Sequence, residues 1–114
     1  MANAVTMTTL TTGEAKFQWL KDAIEKDDGA RFIFLVGKGG EGKTSTVRRV
    51  HEASQAARDV PWYVYAECAC RGRDPRTWKD AGTRMILEVL TPDWENTLKE
   101  LFQDDASVRV AFFA

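Results

Sequence analysis

Residues 37–44 read Gly-Lys-Gly-Gly-Glu-Gly-Lys-Thr, a full G-x-x-x-x-G-K-[ST] stretch. No other eight residues of the chain restrict its fold as tightly. Gly37, Gly39, Gly40 and Gly42 permit positive φ and remove side chains from the concave side of a turn. The backbone N–H groups can then face inward as a nest for an anion. A helix opening near Lys43 adds its unpaired N–H groups and the positive end of its dipole to the same point. Such a loop has to follow a strand and start a helix, and both flanks comply. Residues 31–36, Arg-Phe-Ile-Phe-Leu-Val, are a short apolar β-prone run, as in a buried parallel strand. From Thr44 to Ala57 the chain suits a helix, with Val47, Val50, Ser54 and Ala57 at helical spacing.

The residue types in the loop point to nucleotide phosphate as ligand. The Lys43 ammonium is of a length to reach β and γ phosphates, and the Thr44 hydroxyl suits Mg²⁺, which keeps most of its waters. Gly37, Lys38, Gly39, Gly40, Glu41, Gly42, Lys43, Thr44 and Ser45 form the expected binding stretch. Lys43 is also the catalytic candidate, together with Glu67 at the end of a second strand. Mg²⁺ with ATP, or with GTP, is the expected cofactor. Whether hydrolysis follows is left open, because no acid is firmly placed beside the loop.

The remaining segments alternate helix and strand. Residues 1–12 are small and Thr-rich and read as a flexible arm; 13–114 read as one nucleotide-binding domain. Thr11 and Glu14 have the spacing of a capping box, and Phe17, Leu20 and Ile24 form an apolar face behind it. Trp62 to Cys68 reads as an aromatic-rich strand. Asp74 and Pro75 then open a helix whose apolar face is Trp78, Gly82, Met85, Ile86, Val89 and Leu90. Thr91-Pro92 repeats the signal before Trp94, Leu98, Leu101 and Phe102, and Val108 to Phe113 reads as the last strand. This order predicts an α/β fold: a three-layer core with a short parallel sheet flanked by helices. The last apolar strand ends at Ala114 without a following acid, so the core is expected to be partial.

Bulk properties exclude several classes. A net charge of −1 provides no basic field for nucleic acid. A mean hydropathy of −0.37 goes with no apolar run near the ~20 residues of a membrane span. A cytoplasmic protein is expected. Cys68 and Cys70 are too close for a mutual disulfide and read as reduced thiols. His51 is the only histidine, too isolated for a metal centre. Arg71, Arg73 and Arg76 read as a solvated loop face. The apolar Phe112-Phe113 end makes a protein partner or self-association through the C-terminal strand an expectation.

In order, Phe17-Gln18-Trp19-Leu20, Gly37 to Thr44, Trp62 to Glu67 and Met85 to Leu90 resemble the nucleotide-binding domain of NACHT-type signal-transduction ATPases, within the AAA-like ATPases. The resemblance spans residues ~15–114. It implies a signalling-type ATPase core in which the third strand carries the acidic magnesium-site residues, with Val108 to Phe113 as that strand. Lys38-Gly39-Gly40-Glu41-Gly42-Lys43-Thr44 also resembles the loop of ParA- and MinD-type partitioning ATPases, and this implies a dimer in which Lys38 contacts nucleotide across the interface. The third alternative is a non-enzymatic interaction module with a vestigial loop.

Overall fold

The computed structural model describes residues 7–26, 29–59, 62–65, 84–102 and 105–114. Five strands form one sheet: β1 (Met7–Leu10), β2 (Phe32–Gly37), β3 (Tyr63–Tyr65), β4 (Met85–Leu90) and β5 (Val108–Phe113). Their order across the sheet is β1-β5-β2-β4-β3, and every neighbouring pair is parallel. The C-terminal ends of all five strands therefore share one edge, where open parallel sheets place their ligands.

The sheet is covered on both faces, which explains why β2 is apolar and buried at every position. Alternate residues feed two cores. Phe34, Val36, Leu87, Val89 and Val110 pack with Trp94, Leu98 and Phe102 on one face. Ile33, Leu35, Ile86, Ala111 and Phe113 pack with Leu20, Ile24 and Val50 on the other. That second face is covered by α1 (Gly13–Glu25), α2 (Lys43–Ala53) and α3 (Gln55–Asp59). The first face is covered by the helical segment that links β4 to β5: Thr91–Asp93, a π-helical turn at Trp94–Leu98, and Lys99–Phe102. Parallel strands with helices on both faces make this a three-layer α/β fold.

Four expectations need correction. The largest concerns Met85–Leu90, read as the end of a helix and found as central strand β4. Its apolar residues fit helical spacing because the run is apolar nearly throughout, and periodicity cannot separate a fully buried strand from a helix. Asp74 to Gly82, the remainder of that expected helix, lies outside the described residues. The Thr-rich arm holds a strand, β1, paired in register from Met7–Val110 to Leu10–Phe113. The cap of α1 is Thr12, whose Oγ1 accepts from the Ala15 N–H at 3.1 Å, and not Thr11. The helix expected over 44–57 breaks at Ser54, where α2 gives way to α3. Ser54 is fully buried, and its hydroxyl both donates to Glu25 Oε2 at 3.1 Å and accepts the Ala57 N–H at 3.3 Å.

The C-terminal strand, through which a partner was expected to dock, is an inner strand of the sheet. β5 has β1 on one side and β2 on the other. Phe113 is buried and Phe112 packs against the core. The outer strands of the sheet are β1 and β3.

Candidate functional site

β2 delivers Gly37 to the ligand edge of the sheet, between Leu90 of β4 and Phe113 of β5. Only glycine fits there. A Cβ at Gly37 would lie 2.7 Å from the Phe113 carbonyl oxygen. The loop then turns through Gly40 at φ 86° and Gly42 at φ 80°. These two are the glycines of the loop that use the left-handed region. Gly42 is the N-cap of α2, and no side chain caps that helix. Its first-turn N–H groups are therefore presented without a side-chain acceptor, as anion binding at a helix start requires.

Two side chains cross the loop. Lys43 is buried, and its Nζ donates to the carbonyls of Gly37 and Lys38, each at 2.9 Å. The ammonium thus ties the start of the loop to its end. Thr44 opens the helix next to it, and its Oγ1 donates to Glu88 Oε1 at 2.5 Å. Glu88 is only 2% exposed. It belongs to β4 and sits opposite Leu35 of β2, on the sheet face that carries α2. A cavity of about 230 Å³ joins these parts, lined by Gly39, Gly40, Gly42, Thr44, Ser45 and Glu88 among others.

Gly39 through Ser45 line that cavity, while Gly37 and Lys38 line a neighbouring one with Phe113 and Ala114. Lys38 is exposed, and Glu41 is half-buried beside it. Glu67, the second catalytic candidate, lies outside the described residues, as do Arg71, Arg73, Arg76, Cys68 and Cys70. His51 is exposed on α2, away from the loop cavity. Sequence reasoning passed over Glu88, the buried acid that meets Thr44 beside the loop. Its signal was present: one carboxylate inside the apolar run Met-Ile-Leu-Glu-Val-Leu. Read as a helix, that run puts Glu88 on a solvated side. Read as a buried strand, it places a carboxylate among apolar residues, where it needs a polar partner.

The donor set can be tested against Mg²⁺. Thr44 and Glu88 provide a hydroxyl and a carboxylate oxygen, both hard ligands of the kind this ion prefers. Among the described residues no three His, Cys, Asp or Glu side chains converge on one point. The pair suits a cation that brings most of its ligands as water and phosphate oxygen, as Mg²⁺ does. Among the described residues no helix is long and apolar enough to cross a membrane.

No family model matches the chain, and no curated protein or solved structure matches it either.

Proposed function

We propose that this chain binds Mg²⁺ with a nucleoside triphosphate, ATP in preference to GTP, through residues 37–45. The observation that carries the reading is the contact between Thr44 and the buried Glu88. A glycine turn between a strand and a helix needs no carboxylate behind it. A phosphate loop that holds a metal does. Lys43 would exchange its hold on the loop carbonyls for β and γ phosphate oxygens, and the α2 N–H groups and the Gly40–Gly42 turn would surround them. Thr44 and Glu88 would hold Mg²⁺, which on binding would neutralise the charge of the phosphate oxygens.

The preference for ATP comes from the resemblance to signalling-type ATPases. Met85–Leu90, a helix in that resemblance, is strand β4, so the acid that the family carries on its third strand would here be Glu88 on β4 and not a residue after β5. The exposed Lys38 is the feature that favours the partitioning-type alternative. Binding with slow turnover is the expected activity.

Calorimetric titration of Mg-ATP and Mg-GTP into the wild-type chain and Lys43→Ala tests the proposal. Micromolar binding that disappears in the variant is the expected result. Absence of binding to either nucleotide would overturn it and leave the interaction-module reading. Light scattering on the same samples addresses the partitioning-type alternative, which requires a nucleotide-induced dimer.

A further inference from the structure

Lys16 lies in the first turns of α1, 25 residues before Glu41 in sequence, yet its ammonium ends beside the loop. It is 8% exposed. Its Nζ donates to the Glu41 carbonyl at 3.2 Å and to the Ala114 carbonyl at 3.0 Å, with the Phe113 ring centroid 5.3 Å away. Among the described residues no Asp or Glu is ion-paired with it. A buried ammonium whose hydrogen bonds go to backbone oxygens at the rim of the loop fixes those oxygens in place, and fixing them is a task in itself.

Peptide geometry supplies the task. In a trans peptide the C=O and the next N–H point in opposite directions. A cation that draws the Glu41 carbonyl toward α1 turns the Gly42 N–H the other way, away from α1. Among the described turn and loop bonds, no backbone acceptor takes the Gly42 N–H. Gly42 sits at φ 80°, so this peptide plane needs an external hold to keep one orientation. We propose that Lys16 is a positioning residue of the phosphate loop: it clamps the Glu41 carbonyl so that the Gly42 N–H is preset toward the anion. The inference rests on the nucleotide-binding reading above and extends it to a residue outside the motif.

The test compares wild type, Lys16→Met, Lys16→Arg and Leu20→Ala by Mg-ATP calorimetry below their unfolding temperatures. Lys16→Met keeps the alkyl stem and loses the clamp, so affinity falls at least about tenfold, as expected for a hydrogen bond made by a charged group. Lys16→Arg retains most of the affinity. Leu20→Ala loosens α1 on the sheet without touching the loop; it lowers the unfolding midpoint and leaves affinity unchanged. Equal affinity in Lys16→Met and wild type would overturn the proposal. So would parallel losses in Lys16→Met and Leu20→Ala, because Lys16 would then only anchor the helix. If the wild type itself binds no Mg-ATP, the nucleotide-binding reading fails, and the role of Lys16 fails with it.

Discussion

Replacing Glu88 by Gln should shift stability and binding in opposite directions. In the nucleotide-free protein Glu88 is 2% exposed and accepts one hydrogen bond, from Thr44, at 2.5 Å. An ionised carboxylate can accept roughly four. The desolvation penalty of a buried ion is several kcal/mol even after relaxation. A hydrogen bond to a charged group returns about 1.5–3 kcal/mol. Glutamine keeps the volume, can still accept from Thr44, and removes the charge. The variant should therefore gain about 1 kcal/mol in the absence of ligand, the small remainder of those two contributions. For a domain near 100 residues that raises the thermal midpoint by about 4–8 °C. With Mg-ATP the sign reverses. Losing a carboxylate that holds or orients the ion should weaken binding about 10- to 100-fold, and the ligand-induced rise in midpoint should shrink accordingly. Thermal unfolding with and without Mg-ATP, repeated in EDTA, measures both effects. A lower midpoint in the ligand-free variant, together with unchanged magnesium dependence, would refute the reasoning and make Glu88 a structural acceptor for Thr44.

Two further substitutions probe the frame that holds the site. Gly37→Ala should cost about 1–3 kcal/mol in chemical denaturation, because its new methyl would meet the Phe113 backbone carbonyl at 2.7 Å and force β2 from β5; an unchanged midpoint would contradict that close approach. Lys21 and then Ser54 hold the Glu25 carboxyl below its ordinary range by hydrogen bonding. Its contribution is therefore present above the ordinary glutamate value and is lost as pH falls through the lower folded value. Glu25→Gln should flatten the acid limb of the stability curve below about pH 4, and an unaltered limb in pH-dependent urea melts would assign that limb to other carboxylates.

The parts legible in the sequence are those with a local cause. The loop, its strand and its helix follow from glycine placement and from a lysine and threonine at fixed spacing. The stripe Trp94, Leu98, Leu101 and Phe102 follows from helical period, and all four pack into or against one core. Strand β5 follows from an apolar run of β-branched and aromatic residues. The parts that were not legible have non-local causes. Met85–Leu90 is a strand because it lies between β2 and β3 with helices above and below, and nothing inside those six residues declares that. Its misreading also concealed Glu88, since the meaning of that carboxylate depends on which strand stands next to β2. β1 was missed for a related reason: Met7, Thr8 and Thr9 are exposed, so the strand has no apolar signature and exists through its ladder to β5.

That last pairing has a consequence for how the protein is made. β1 leaves the ribosome well before β5, its partner among the described strands. Roughly 100 residues separate their synthesis, a wait of about 5–20 s at ordinary elongation rates. A strand left unpaired so long in the nascent chain invites mispairing. Threonines with solvent-facing hydroxyls are a safer content for it than valines. The wait also sets when the site matures. β2 lacks one of its two neighbours until β5 is translated, and the Ala114 oxygen that shares the Lys16 ammonium with Glu41 follows directly after β5. The loop is thus encoded early, but the sheet that frames it closes only once β5 has been made.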